Sequence, residues 1–313
     1  IVAVIGDGSL SGGLAMEALN NAGDFKGNLI ILVNDNQMSI AENHGGLYRN
    51  LAELRATNGQ AENNFFKTFG LDYKYLENGN DIESLIHLFE EVKDIDHPIV
   101  LHIHTEKGRG YQPALENKEA FHWHMPFDLE TGQSKVIDSG KSYSSVMLDY
   151  MDKKVSEGLP LVAINAAIPG IFGLKQFAAK YPDRYIDAGI AEQFTITFGG
   201  AMAAAGARPI IFHNSTFVQR AYDQFWHDLA INEEPAIVIV KGGVISGSDE
   251  THQGSSAMTW ISNIPNIKYL APTSEEEFIS ILDWALEQHE EPVVIQMPEH
   301  GLESRPTVLT DYS

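Results

Sequence analysis

Residues 1–36 read IVAVI-GDGSLSGGLAMEALNNAG-DFKG-NLIILVNDN. Five apolar residues run into a tight Gly6-Asp7-Gly8 turn. A helical pattern follows over Gly12–Ala22, and a second apolar run ends in Asn34-Asp35-Asn36. This order predicts two buried parallel strands joined by a crossover helix. The loops at the carboxyl ends of both strands then share one sheet edge, where α/β folds bind ligands.

Each residue type at that edge has a use. Gly6 and Gly8 allow a close backbone approach that a Cβ would block. Asp7 offers a hard carboxylate, and Asn36 an amide oxygen from the neighbouring strand end. Such oxygen donors suit Mg²⁺, which completes its octahedron with phosphate oxygens and water. Ser9, Ser11 and the open amides at the start of the Gly12–Ala22 helix make an anion site. A diphosphate held through a divalent cation is the expected ligand. The bland alternative is a structural α/β turn that binds nothing.

The 313 residues are enough for two ordinary domains, and a hydrophobic content of 43% supplies their cores. The net charge of −22 argues against nucleic acid and anionic membranes as partners. A phosphorylated ligand must then be gripped by local Lys, Arg, His and amide groups. With no cysteine, disulfides, thiolate catalysis and Cys-based zinc sites are excluded. No run is long and apolar enough to span a bilayer, and no signal peptide is present; a cytoplasmic location is the working expectation. The first residue, Ile1, already lies in the apolar run, so the sequence is expected to be an internal piece of a longer protein.

Further along, Gln37–Gly46 reads as a loop over the site and Leu47–Arg55 as a short helix. Ala56–Asn64 is polar and expected to be mobile. Leu71–Leu76 and Pro98–His104 read as strands. Between them, Asp81 caps a helix from Ile82 to Lys93 with Ile82, Leu85, Ile86, Phe89 and Val92 on its apolar face. Thr105-Glu106-Lys107-Gly108-Arg109-Gly110-Tyr111 suits a phosphate or a solvated basic turn equally well. In Phe121-His122-Trp123-His124 the two histidines alternate on a segment read as extended, so both should point the same way. No third ligand is in view for a metal.

Asp128–Ser142 is polar and reads as a linker. Residues 143–305 then alternate strands and helices again, which implies mostly parallel sheets covered by helices. Helices are expected at Tyr143–Val155, Gly170–Tyr181, Thr195–Ala205 and Ser274–Gln288. Strands are expected at Leu161–Ile164, Pro209–Asn214, Ala236–Val240, Lys268–Ala271 and Val293–Gln296. A Gly- and Ser-containing loop covers Gly242–Gly254. Glu192, in Ala188-Gly189-Ile190-Ala191-Glu192-Gln193, stands among small apolar residues at a strand-to-helix junction. Burial there would raise its pKa; an exposed glutamate favoured by the helix dipole is the alternative.

GDGSLSGGLAMEALNNAG followed by NDNQMSI is the diphosphate motif of thiamine diphosphate enzymes. It resembles the 1-deoxy-D-xylulose-5-phosphate synthase branch of the transketolase superfamily. The resemblance covers nearly the whole chain and is most specific in residues 1–40 and 181–254. It implies an α/β fold of two thiamine-diphosphate-binding units, each a mostly parallel sheet flanked by helices. Residues 1–127 would be the diphosphate- and Mg²⁺-binding domain, lacking its N-terminal part, and 128–142 the linker. Residues 143–305 would be the pyrimidine-binding domain and 306–313 an exit linker.

The implied metal ligands are Asp7, Asn36 and the main-chain carbonyl of Met38, with Gly6, Gly8 and Ser9 around the diphosphate. Lys107, in the family's TxKGxGY sequence, would lie beside the thiamine, and His122 matches a site histidine. Glu192 would hydrogen-bond the aminopyrimidine ring, where proton movement near neutral pH is needed. Phe217, in Ser215-Thr216-Phe217, would stack on that ring, with ordinary core packing as its alternative. Arg220 would grip the acceptor phosphate through its guanidinium fork, and His252 would lie near the reacting centre. The implied reaction decarboxylates pyruvate and transfers a two-carbon unit to glyceraldehyde 3-phosphate, in a homodimer.

Several residues depart from the family pattern. Phe194 replaces a histidine in AEQH, and Asn214 replaces a tyrosine before STF. Lys241 stands where arginine is expected, and Asn80 where a histidine is. Ser248 stands where an acid is expected, with Asp249 adjacent. The cofactor residues are kept while the substrate pocket, including Asn214 and Lys241, is altered. A transketolase-like relative with another donor or acceptor, and a cofactor-binding module without turnover, are the rival expectations.

Overall fold

The computed structural model describes residues 1–135, 140–243, 252–299, 301–306 and 308–313. The chain divides into two units, Ile1–Ile137 and Asp138–Ser313.

In the first unit β1 (Val2–Gly6), β2 (Leu29–Asp35), β3 (Asp72–Leu76) and β4 (Pro98–His104) form a parallel sheet in the order β1-β2-β4-β3. The two central strands carry the continuous apolar runs, as burial on both faces requires. Leu101 and Val33 are fully buried. β1 departs from the expected pair of buried strands. It pairs with β2 alone and forms the sheet edge, so Val2 and Val4 are 50% and 68% exposed.

The crossover helix runs from Gly13 to Ala22, after a 3₁₀ turn over Asp7–Ser11. The helix Ile82–Val92 is capped by Asp81, whose carboxylate accepts the Ser84 N–H at 2.9 Å. It buries Leu88 and Val92 against Ile30, Leu101 and Ile103. Ile82 and Ile86, expected on the inner face, stay exposed, while Leu85, Leu88, Phe89 and Val92 make the contact with the sheet. Residues 56–64 are tied down rather than loose. The Asn50 side chain donates to the Asn63 carbonyl at 3.0 Å and accepts the Phe65 N–H at 2.9 Å. The polar stretch from Asp128 begins as a turn closed by a Phe127–Ser134 bridge.

In the second unit β5 (Leu161–Asn165), β6 (Tyr185–Asp187), β7 (Arg208–Asn214), β8 (Ile237–Lys241), β9 (Lys268–Leu270) and β10 (Val293–Met297) form a parallel sheet. The order is β6-β5-β7-β8-β10-β9. Register places Asp187 beside Asn165, and Asn214 beside Lys241, at the carboxyl edge. The helix expected over Gly170–Tyr181 is broken in two at Gly173, whose φ of 72° ends the first turn. The small-residue helix starts earlier than expected, at Glu192, and runs to Ala204. Gly199 lets it lie close to β7, since a Cβ there would sit 2.3 Å from Ile211 Cδ1. Val218–Ala221, Tyr222–Gln224 and Phe225–Ala230 follow one another as short 3₁₀, α and π turns.

Candidate functional site

The expected site residues of the first unit gather at its carboxyl edge. Asp7 follows β1 and is buried. Its Oδ2 accepts a hydrogen bond from Asn43 Nδ2 at 2.8 Å. Asn43 belongs to the loop Asn36–Gly45, which folds back through a Met38–Glu42 bridge. The Asn36 amide oxygen accepts the Met38 N–H at 3.2 Å, which fixes the turn that presents both residues. Gly8 is needed for contact. A Cβ there would lie 2.7 Å from Ser39 Cβ.

The anion site is narrower than expected. Gly12 N–H is not open, because it donates to the Ser9 carbonyl at 3.1 Å, and the Ser11 hydroxyl donates to the Gly8 carbonyl at 3.1 Å. Ser9 remains exposed.

Asp35 was missed as a site residue and lies at the centre of this edge. It is fully buried. Its carboxylate is ion-paired with Arg55 and accepts His102 Nε2–H at 2.8 Å and the Gln37 N–H at 3.0 Å. The carboxylate can only accept, so His102 Nε2 carries the proton between them, and Nδ1 shares a hydrogen bond with the Tyr73 hydroxyl at 2.8 Å. Burial pushes Asp35 up, but the His102 hydrogen bond and the Arg55 charge outweigh it and hold its pKa low. Asp7 moves the other way. Burial and then the Asp35 charge push its carboxyl well above the usual range. A buried carboxyl that resists ionisation beside another carboxylate is a place where a cation is favoured.

Lys107 follows β4. Its ammonium donates to the Ser39 carbonyl and to His122 Nδ1, the latter at 3.2 Å. Burial lowers the pKa of Lys107; burial and then the Lys107 charge lower that of His122. The HxH pair does not point one way. The segment turns, so His122 reaches Lys107 while His124 packs on Phe121 and Phe127 at 4.7 and 5.0 Å between ring centroids. Among the described residues, no cluster of three or more His, Cys, Asp or Glu is placed to hold a metal. One carboxylate beside an amide oxygen and a main-chain carbonyl would instead suit Mg²⁺, a hard cation that takes oxygen ligands.

In the second unit Glu192 is buried at the start of its helix. Its surroundings are not purely apolar as expected, since Arg220 Nη1 stands 3.3 Å from Oε2. Phe217 meets His252 edge-on, with ring centroids 5.3 Å apart. Asn214 turns its amide oxygen to the Thr216 N–H at 2.8 Å. The Ser215 and Thr216 hydroxyls are buried without a hydrogen-bond partner among the described residues. Lys241 is turned inward, donating to the Ile171 carbonyl at 2.9 Å and the Ser144 hydroxyl at 3.3 Å. Burial lowers its pKa. Ser248 and Asp249 lie outside the described residues.

Residues 139–304 match the family described as "Transketolase, pyrimidine binding domain". Residues 1–62 and 55–105 match the family described as "1-deoxy-D-xylulose-5-phosphate synthase". The chain belongs to the transketolase-like 1-deoxy-D-xylulose-5-phosphate synthase family. It is 36% identical over 336 residues to 1-deoxy-D-xylulose-5-phosphate synthase 1 of Geobacter sulfurreducens, covering 95% of this chain and 53% of that protein. The synthase of Clostridium tetani is 37% identical over 336 residues, covering 96% and 54%. The chain thus spans about half the length of the curated relatives it matches. A solved transketolase from Pichia stipitis aligns over 97% of this chain and 56% of its own, at 16% identity and a TM-score of 0.48.

Within this synthase-family chain, the sequence signal for Asp35 was its place inside the NDN motif. Nothing local marked Arg55, which lies in a separate helix, or His102, which is flanked by apolar residues.

Proposed function

We propose that the protein catalyses thiamine diphosphate- and Mg²⁺-dependent transfer of a two-carbon unit from pyruvate, with loss of CO₂, to glyceraldehyde 3-phosphate. The product would be 1-deoxy-D-xylulose 5-phosphate. The observation that carries this reading is the arrangement around Asp7. A buried carboxyl, the Asn36–Met38 turn and Lys107 lie on one sheet edge, in a chain 36% identical to synthases of that name. Residues 1–127 would serve the diphosphate and metal, and 143–305 the pyrimidine ring.

Asp7, Asn36 and the Met38 carbonyl would hold Mg²⁺. Lys107 and the amides of the Gly6–Ser9 turn would neutralise the diphosphate. Bound thiamine diphosphate supplies a carbanion nucleophile and a sink for the electrons left by decarboxylation. Glu192 would hold a proton at the ring nitrogen of the aminopyrimidine. Phe217 would pack on that ring and exclude water from it. His122, whose pKa is lowered by burial and then by the Lys107 charge, and His252 are the candidates for proton transfer at the substrate. Arg220 would orient the acceptor phosphate. A homodimer in the cytoplasm is part of the same proposal.

A second reading changes the acceptor. It is favoured by Lys241, whose ammonium faces the Ile171 carbonyl and Ser144, and by Asn214, whose amide oxygen faces its own turn. Mass spectrometry of the products from purified protein with cofactor, Mg²⁺, pyruvate and glyceraldehyde 3-phosphate tests both. A deoxypentulose phosphate supports the first. Acetaldehyde or acetolactate without it supports the second. Unconsumed pyruvate would remove both.

A further inference from the structure

Asp187, the last residue of β6, lies five residues before Glu192 and has no part in the reading above. Its Oδ1 accepts the N–H of Ala167 and the N–H of Gly189, each at 3.0 Å. Its Oδ2 accepts Asn165 Nδ2–H at 3.0 Å and the Tyr185 hydroxyl at 3.3 Å. One carboxylate therefore ties the loop after β5 to the loop after β6. Both amides on Oδ1 belong to left-handed residues, Ala167 at φ 58° and Gly189 at φ 72°. Ala167 has a Cβ, so its conformation is strained and must be held by its surroundings.

The loop leads directly to Glu192. Ala188 N–H donates to the Asn165 carbonyl, and Ala191 N–H to the Gly189 carbonyl, both at 2.9 Å. Ala191 is the helix N-cap and has no capping side chain. The direction in which Glu192 leaves the loop is thus set upstream, at Gly189, and not by a local cap.

Asn165 adds a second sign of purpose. It is fully buried, and its amide oxygen has no hydrogen-bond partner among the described residues. A buried acceptor left unsatisfied destabilises the fold, so the arrangement has a cost. Turning the amide over would aim that oxygen at the Asp187 carboxylate and lose the bond to it. The orphaned oxygen is the consequence of keeping the donor on Asp187.

We propose that Asp187 is a positioning residue, which fixes the Ala188–Ala191 loop and through it aims the Glu192 carboxylate. The inference rests on the reading of Glu192 as the group that handles the aminopyrimidine proton. It predicts that Asp187→Asn, which removes the charge and sets an NH2 donor against either the two backbone amides or the Asn165 and Tyr185 donors, misplaces Glu192 while leaving the sheet and the first unit intact. Displacements near 1 Å at a reacting group cost up to about a hundredfold in rate.

The test uses the full chain with thiamine diphosphate and Mg²⁺. Two quantities are read: exchange of the cofactor C2 proton for deuterium, followed by NMR after acid quench, and amide hydrogen exchange of Ala167 and Gly189 in the cofactor-free protein. In Asp187→Asn both amides should lose protection, because they face either a neutral, weaker acceptor or an NH2 donor. C2 exchange at saturating cofactor should slow by about ten- to a hundredfold, with cofactor affinity within about threefold of wild type. Tyr185→Phe removes the hydroxyl bond to Oδ2 at 3.3 Å and the long Asn165 contact at 3.5 Å but leaves both backbone amides on Oδ1, and should resemble wild type in both. If Asp187→Asn does not fold, Gly189→Ala strains the same loop at φ 72° without touching the carboxylate, and the same pattern is expected.

Wild-type C2 exchange in a saturated Asp187→Asn protein would overturn the inference. So would slowed exchange with the two amides still protected. Glu192→Gln separates the layers. If it exchanges at the wild-type rate, the underlying reading of Glu192 fails. If it is slow while Asp187→Asn is normal, only the positioning role fails.

Discussion

Arg220 Nη1 stands 3.3 Å from Glu192 Oε2, a half-exposed guanidinium set against a buried carboxylate. Solvent screens the outer partner, so the pair contributes about 1 kcal/mol or less to stability. Arg220 is therefore free to exchange this contact for a ligand phosphate. Arg220→Met should leave the melting temperature nearly unchanged. It should raise KM for glyceraldehyde 3-phosphate at least about tenfold, the loss of one charge-assisted contact. KM for pyruvate should move little. A stability loss above about 2 kcal/mol, beyond what an exposed pair supplies, would make Arg220 a structural partner of Glu192 instead.

Gly8 tests the metal half of the site. Its α-carbon faces Ser39 so closely that a Cβ would lie 2.7 Å from Ser39 Cβ and 3.0 Å from its Cα. Ser39 cannot retreat freely, because its carbonyl receives Lys107 and its N–H is bonded to Ala41. Gly8→Ala should displace the turn that carries Asp7. Calorimetric titration should show Mg²⁺ affinity in the presence of thiamine diphosphate falling at least about tenfold, or 1.4 kcal/mol. Unchanged affinity would mean that the turn does not carry the metal.

The parts of this structure legible in the sequence are those written in contiguous residues. The runs Leu29–Asp35 and Pro98–His104 gave central strands, and Asp81 capped the helix that follows it. β6 is legible only as an unbounded strand before the Glu192 junction, because three residues, Tyr185–Asp187, are too short for any period to show. The partners of Asp35 escaped for another reason. Arg55 and His102 are 20 and 67 residues away, and only the folded sheet and helix bring them together. The paired histidines misled because an alternation rule applies to strands, while residues 118–123 turn.

Lys107 and His122 give a pH signature. The Lys107 ammonium is 3.2 Å from His122 Nδ1, and burial followed by that charge lowers the His122 pKa. A base with a depressed folded pKa takes up fewer protons than the unfolded chain. Its stabilising effect is therefore complete above the unfolded pKa of about 6.5 and declines as pH falls toward the folded value. NMR titration should place the His122 midpoint below 6.5, the ordinary histidine value. Lys107→Met should raise that midpoint, because the charge is removed while the burial stays. A midpoint unmoved by Lys107→Met would show that the two groups do not interact in solution.

Asp35 carries the largest stability consequence in the first unit. It is fully buried, and its charge is matched by Arg55 and a hydrogen bond from His102. Removing one member of a buried pair costs about 3–5 kcal/mol, since the other charge is left without compensation. Arg55→Met should therefore lower the urea midpoint strongly, whereas substitution of an exposed arginine such as Arg109 should not. The acid side gives an independent check. Asp35 has a folded pKa below its unfolded value, so its contribution is present above the ordinary aspartate pKa of about 3.9 and lost as pH falls through the lower folded value. Without Arg55 the folded pKa rises, that contribution shrinks, and acid unfolding should begin at higher pH. Urea titrations of both proteins between pH 3 and 7 measure the effect. Coincident acid limbs would show that His102 and the Gln37 amide hold the carboxylate without Arg55.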